Sequence, residues 1–77
     1  MNSAVSIKTF IGDFLRLPEE KIIDTSTLAD LVADSFQAVE LLVALQDEFG
    51  FMLSQEDMAE IDTLGGLLHI IAIKTAN

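Results

Sequence analysis

The sequence predicts an all-α fold, a small bundle of three main helices plus one short helix, with a long loop between helices 1 and 2. Apolar residues recur three and four positions apart, which is the spacing of one helix face. No turn dipeptide typical of a hairpin lies between alternating runs. Cysteine is absent and His69 is the one histidine, which excludes disulfide frameworks, zinc fingers and cysteine nucleophiles. The length of 77 residues indicates a single domain over residues 1–77.

The first helix is predicted to begin at Asn2 or Ser3 and to end before Pro18, because proline disfavours helical geometry in the residue that precedes it. Its apolar stripe consists of Ile7, Phe10, Ile11, Phe14 and Leu15. No long period persists over residues 18–33. We expect a loop there, with at most a short turn that a hydroxyl of residues 25–27 caps and with Leu28 and Leu31 attached to the core.

The second helix is predicted from about Ser35 to Phe49. Asp34 is placed as its N-cap, Gln37 completes an approximate capping box three residues later, and Gly50 suits a left-handed stop.

Two further helices are predicted after that stop. Ser54, with Asp57 three residues later, can cap a short helix that continues to Ile61. Thr63 can cap the last helix, which carries Leu64, Leu67, Leu68, Ile71 and Ile73.

The second helix has more apolar surface than a core contact requires. One side of its helical wheel holds Ala38, Leu41, Leu42, Leu45 and Phe49, which is a sufficient core-facing stripe. Phe36, Val39 and Val43 fall on another side, close to Glu40 and Asp47. Either the long loop covers this second apolar group, or the group is an exposed binding patch with an acidic rim that attracts basic enzymes.

The charge of the chain restricts its partners. Thirteen acidic and four basic residues give a formal net charge of −9, which argues against nucleic acid and anionic membranes and favours positively charged protein surfaces. No segment has the length of a spanning helix, and the N-terminus lacks the pattern of a signal peptide. We therefore expect a cytoplasmic monomer that does not insert into membranes.

Ser35 follows directly after the predicted cap Asp34. Serine is common at helix starts, so this position alone does not indicate a function. A hydrolase is disfavoured, because no glycine-flanked nucleophile is present and His69 is the one imidazole available as a base. The free amides and the positive dipole end of a helix start favour a covalently attached anion such as a phosphate. No metal site is expected, and no stretch matches a calcium-binding loop.

Three segments together resemble the acyl carrier protein family: residues 27–36 (TLADLVADSF), residues 39–41 (VEL) and residues 45–50 (LQDEFG). The similarity extends over most of the chain and includes its length, acidity and long first loop. The resemblance implies that Ser35 is esterified by 4′-phosphopantetheine and that Asp34 helps to present it. A phosphopantetheinyl transferase, the holo-carrier synthase, would supply the group from coenzyme A with magnesium.

The resemblance also implies how the protein works. It would have no catalytic activity and no catalytic residues, and it would carry acyl intermediates as thioesters to fatty-acid or polyketide biosynthetic enzymes with basic docking surfaces. The helix after the serine is the family's recognition element, so the expected partner contacts are Phe36, Val39, Glu40, Val43 and Asp47. An apolar cargo could also lie among the core residues Phe14, Leu41, Leu45, Ile61, Leu67 and Ile71.

Two alternatives remain open from the sequence. Val32, Phe36 and Ser54 stand where the family usually has glycine, leucine or methionine, and proline, so an aminoacyl, peptidyl or D-alanyl carrier also fits. The second alternative is an acidic helical adaptor domain that is never modified, in which Ser35 is an ordinary residue of the first turn.

Overall fold

The computed structural model describes residues 3–76, so Asn2 as a first helical residue lies outside the described range. The helices are α1 (Ser3–Leu15), α2 (Leu28–Leu31), α3 (Ser35–Phe49), α4 (Gln55–Glu60) and α5 (Leu64–Thr75), and a 3₁₀ turn spans Glu19–Lys21. Over the described range there is no strand, and a single bridge pairs Thr27 with Thr63. The all-α class is therefore confirmed, with the three long helices α1, α3 and α5, the predicted short helix α4, and α2 as a second short helix in the long connection.

The core is apolar and draws on every long helix, on the long connection between α1 and α3, and on the short connection between α3 and α4. Its buried residues are Ile7, Ile11, Ile22, Leu28, Leu31, Leu41, Leu42, Leu45, Phe51, Leu53, Leu64, Leu67 and Ile71. The buried set among the described residues includes no polar or charged side chain. Burial of apolar surface is thus the main favourable contribution to folding.

Helix α1 presents the predicted stripe to this core. Ile7 and Ile11 are buried, Phe10 and Leu15 are half-buried, and Phe14 remains 38% exposed at the end of the stripe. The ring of Phe10 stacks on that of Phe14 with 6.2 Å between the ring centroids, and it forms a T-shaped pair with that of Phe49 at a centroid distance of 5.8 Å. The aromatic contacts therefore join α1 to the C-terminal end of α3.

Helix α1 ends at Leu15 for a reason that the sequence did not reveal. Arg16 adopts the left-handed conformation with φ of 58°, and the amide of Leu17 donates to the carbonyl of Gly12 at 2.9 Å. Pro18 lies three residues beyond the helix end and precedes the 3₁₀ turn. The helix thus ends before Pro18 as predicted, and the left-handed Arg16 forms the stop itself.

The long connection attaches to the core at several points. Leu28 and Leu31 are buried as expected, and Thr27 caps α2 by accepting from the amide of Asp30. Ile22, which the sequence pattern did not single out, is also buried. Lys8 of α1 forms an ion pair with Asp24 at 2.6 Å.

The starts of α2 and α5 are tied together. The amide of Leu28 donates to the carbonyl of Asp62 at 3.0 Å, and that of Leu64 donates to the carbonyl of Ser26 at 2.8 Å. Thr63 caps α5 as predicted, accepting from the amide of Gly66. The long connection and the last helix are thus held by backbone hydrogen bonds as well as by apolar contact.

Helix α3 has the predicted bounds and ends at Gly50, whose φ of 69° confirms the left-handed stop. After it the chain is extended, with Phe51 and Leu53 buried and Met52 between them 79% exposed. Gln46 holds this segment, because its side-chain oxygen accepts from the amide of Leu53 at 3.0 Å.

Helices α4 and α5 are joined by polar contacts. Ser54 and Asp57 form the predicted capping box at the start of α4, although the helix ends at Glu60 and Ile61 is its C-cap. Asp57 also forms an ion pair at 2.8 Å with Lys74 in the last turn of α5. Ile73 is 61% exposed and so does not belong to the core face of α5.

Arg16→Gly should raise the free energy of unfolding by about 0.5–1 kcal/mol, because glycine adopts positive φ without the clash that a Cβ causes and this gain exceeds its larger unfolded-state entropy. Urea denaturation measures the change. Arg16→Ala is the matched control, since it removes the same charge and keeps the Cβ, and it should show no gain. Equal midpoints for the two variants would contradict the explanation.

Asp57 should make stability depend on pH in the acid range. A hydrogen bond to Lys74, and then the backbone hydrogen bond from Ser54, lower the pKa of Asp57 from its ordinary value of 3.8 to about 2. The stabilisation is therefore complete above about pH 4 and is lost as the pH falls toward 2. Urea midpoints of the wild type and Asp57→Asn should converge as the pH falls through this window. Lys74→Met should behave in the same way, and a difference that stays constant would contradict this assignment.

Candidate functional site

Ser35 is the first residue of α3 and is exposed. The residue before it, Asp34, has an extended backbone and acts as N-cap, with its Oδ1 accepting from the amide of Gln37 at 2.8 Å. Within residues 3–76 no hydrogen bond occupies the hydroxyl of Ser35. The structure therefore places a free hydroxyl on the surface at the start of the longest helix.

The cap differs from the predicted capping box in one bond. Gln37 accepts from the amide of Ala33 at 2.6 Å, one residue before the expected donor Asp34. The two bonds of Gln37 thus enclose residues 33–37, with Ser35 at their centre. Sequence spacing does not indicate this local contact, because glutamine three residues after a cap normally reaches the cap residue itself.

The first turn of α3 also provides unused amides. Across the described chain, the amides of Ser35 and Phe36 have no hydrogen-bond acceptor, whereas that of Gln37 is used by Asp34. Such amides, together with the positive end of the helix dipole, stabilise a negatively charged group. A phosphate attached to Ser35 would therefore meet favourable electrostatics at this position.

A groove of about 460 Å³ opens beside Ser35, between α2, α3 and α4. It is lined by Ala29, Val32, Asp34, Ser35, Ala38, Val39, Leu42 and Met58. Sequence reasoning missed Ala29 and Met58, because α2 and α4 approach α3 only in the folded chain.

The groove is distinct from the cargo space that the sequence suggested. None of Phe14, Leu41, Leu45, Ile61, Leu67 and Ile71 lines it. Leu41, Leu45 and Leu67 are fully buried, so they belong to the packed core. An apolar group attached to Ser35 would find its nearest open space in this groove.

The second apolar group of α3 is exposed. Phe36 is 70% exposed, Val39 54% and Val43 49%, so the long loop does not cover them and the first of the two explanations was wrong. Glu40 and Asp47 on the same helix are exposed as well. The structure thus presents an apolar patch with carboxylates beside it, and Val39 belongs both to this patch and to the groove.

The charge of the chain is concentrated in its later part. Residues 1–21 contain three acids and three bases, whereas residues 22–77 contain ten acids and Lys74 as the one base. The whole formal charge of −9 therefore belongs to the part of the chain that carries α2 to α5. A surface of this sign attracts basic partners over several ångströms.

Other kinds of site find no support in the described residues. No cluster of three or more histidine, cysteine or acidic side chains within residues 3–76 could hold a metal ion. None of the helices in this range has the length and apolarity needed to cross a membrane. His69 is exposed on α5.

Comparisons with known proteins agree with this geometry. The family model described as the phosphopantetheine attachment site matches residues 6–71. An acyl carrier protein of Thermosynechococcus vestitus is 35% identical over 71 residues, which cover 91% of this chain and 88% of the relative. Acyl carrier proteins of Chlamydia trachomatis serovars L2 and D are 35% identical over 66 residues, covering 84% of this chain and 86% of each relative. The chain therefore belongs to the phosphopantetheine-binding family of the acyl carrier proteins.

Proposed function

We propose that the protein is an acyl carrier in which Ser35 receives 4′-phosphopantetheine. The observation that carries this proposal is the exposed Ser35 hydroxyl, which no hydrogen bond within residues 3–76 engages, at the start of α3. The family match, which spans residues 6–71, supports the same group as the cofactor. The similarity to acyl carrier proteins supports acyl groups as its cargo.

The modification requires one covalent step on Ser35. Its Oγ attacks the phosphorus of coenzyme A that carries the pantetheine, the pyrophosphate bond breaks, and adenosine 3′,5′-bisphosphate leaves. The hydroxyl proton passes to a base of the phosphopantetheinyl transferase, since no histidine or other base of this chain bonds to Ser35 over the described residues. We propose that Asp34, adjacent to the reacting hydroxyl, contributes a carboxylate to the magnesium-containing site of that enzyme.

The residues around Ser35 fit the group. The amides of Ser35 and Phe36 are available to the phosphate, and the apolar walls of the groove are available to the methyl groups and methylenes of the arm. When bound, the group supplies a thiol that carries acyl groups as thioesters, which this cysteine-free chain cannot supply itself. Tethering raises the effective concentration of the cargo at each partner enzyme.

The docking surface consists of Phe36, Val39 and Val43 with the neighbouring carboxylates Glu40 and Asp47. Its apolar centre would enter a pocket of the partner, and its acidic rim would pair with lysine and arginine side chains. A small surface of this kind suits a carrier that must bind and release several enzymes, because charge speeds encounter without requiring a long-lived complex.

Under this proposal the chain has no catalytic activity of its own, and residues 1–77 act as one carrier domain, with the cytosol as the expected location. Enzymes of fatty-acid or polyketide synthesis are the expected partners. An aminoacyl, peptidyl or D-alanyl cargo uses the same attachment chemistry, so identification of the thioester isolated from cells distinguishes these alternatives. An unmodified adaptor is the rival from another class.

Incubation with a phosphopantetheinyl transferase, magnesium and coenzyme A should add the mass of one phosphopantetheinyl group to the wild type and none to Ser35→Ala, because the acceptor hydroxyl is removed. Intact-protein mass spectrometry measures both. Ser6→Ala removes another exposed hydroxyl, on α1, and should still be modified. A wild type of unchanged mass, or a modified Ser35→Ala, would favour the unmodified adaptor.

Glu40→Lys and Val43→Asp should each slow this loading about three- to tenfold, because one reverses a rim charge and the other places a charge in the apolar centre of the docking surface. The helical circular dichroism signal should stay unchanged, since both side chains are exposed. Glu48→Lys makes the same change of charge on α3 outside the docking surface and should load more nearly like the wild type. Equal loading rates for Glu40→Lys and Glu48→Lys would show that net charge, and not the docking surface, governs the reaction.

A further inference from the structure

The link between α2 and α3 is short and exposed, yet its backbone is held by hydrogen bonds. It consists of residues 32–34, of which Ala33 and Asp34 are exposed. The amide of Val32 donates to the carbonyl of Leu28 at 3.1 Å, which attaches the link to the end of α2. The amide of Ala33 donates to Oε1 of Gln37 at 2.6 Å, which attaches it to the first turn of α3.

Gln37 therefore takes part in two hydrogen bonds, as the donor in one and as the acceptor in the other. Its backbone amide donates to Oδ1 of Asp34 at 2.8 Å, and its side chain accepts from Ala33. The first bond is the ordinary cap and suffices to begin a helix. The second bond reaches Ala33, the residue before the cap, so it ties the chain that leads into Ser35 to the first turn of α3.

We infer that Gln37 is a positioning residue for the transfer of the phosphopantetheinyl group to Ser35. By holding Ala33, it keeps the link, the hydroxyl of Ser35 and the two free amides of the first turn in one arrangement before the transferase binds. Val32 packs against the core, but Ala33 and Asp34 are exposed, so packing does not hold these two residues. This inference rests on the proposed function, because it concerns the same reaction.

The mechanism predicts an effect on binding more than on the chemical step. A link that is free to move populates the competent arrangement for only a fraction of the time, and the apparent affinity for the transferase falls by that fraction. Gln37→Met removes the acceptor while keeping the length of the half-buried side chain. Its KM as a substrate should rise about fivefold with kcat changed less than twofold, which corresponds to the loss of one hydrogen bond of ordinary strength. Gln37→Glu keeps an acceptor oxygen and should restore a KM close to that of the wild type.

The experiment combines steady-state kinetics with hydrogen exchange of the unmodified protein. The amide of Ala33 should exchange about fivefold faster in Gln37→Met than in the wild type, and Gln37→Glu should restore slow exchange. Gln55→Met makes the same substitution at the exposed first residue of α4 and should alter neither quantity. Should Gln37→Met unfold the chain, Gln37→Asn, whose amide is one methylene too short to reach Ala33, replaces it.

The outcomes separate this inference from the function on which it rests. A wild type that gains no mass overturns both. A wild type that is modified, beside a Gln37→Met variant with unchanged KM, overturns the positioning role alone. A raised KM without faster exchange at Ala33 also overturns it, because Gln37 would then contact the transferase directly.

Discussion

The burial of one face of α3 is the constraint on which the site depends. Leu41, Leu42 and Leu45 lie in the core, so the rotation of the helix about its axis is fixed by apolar contact with the other helices. The opposite face, which carries Phe36, Val39 and Val43, is exposed. Because the first face is buried, Ser35 and the docking surface point to solvent. Since both belong to α3, their positions relative to each other are fixed. The packing of α3 thus determines where Ser35 and the docking surface lie, although no core residue takes part in the proposed chemistry.

Local interactions account for what the sequence predicted well. Asp34, Ser54 and Thr63 each bond to an amide three residues ahead, and Gly50 needs only its own backbone freedom, so spacing alone identified these helix ends. The class of fold and the bounds of α3 follow from them. The spacing of the apolar residues likewise identified the buried face of α3. The apolar residues that this face does not include lie on the side that the structure leaves exposed.

The features that could not be predicted are unusual backbone conformations and contacts that residue spacing does not encode. The left-handed Arg16 has no sequence signal, since the conformation is uncommon outside glycine and asparagine. Alternation of apolar residues at Phe51 and Leu53 around Met52 could have identified that extended segment, but three residues are too few to decide. The groove depends on how α2 and α4 approach α3, and the bond between Ala33 and Gln37 depends on the path of the link. The attachment residue could be proposed from the sequence, whereas its surroundings required the fold.

Helix α4 differs from its neighbours in how it is attached, and this has a consequence for the groove. None of its residues is fully buried, and Met58 packs against the core only in part. The hydrogen bonds at Ser54 only cap α4 itself, whereas the ion pair between Asp57 and Lys74, which is accessible to water, joins α4 to α5. An outward shift of α4 therefore uncovers less apolar surface than a shift of α1, α3 or α5 would. Helices α2 and α3 each have buried leucines, so the wall of the groove that contains Met58 can move at the smallest free-energy cost. A shift of this wall changes the width of the groove while Ser35 stays in place.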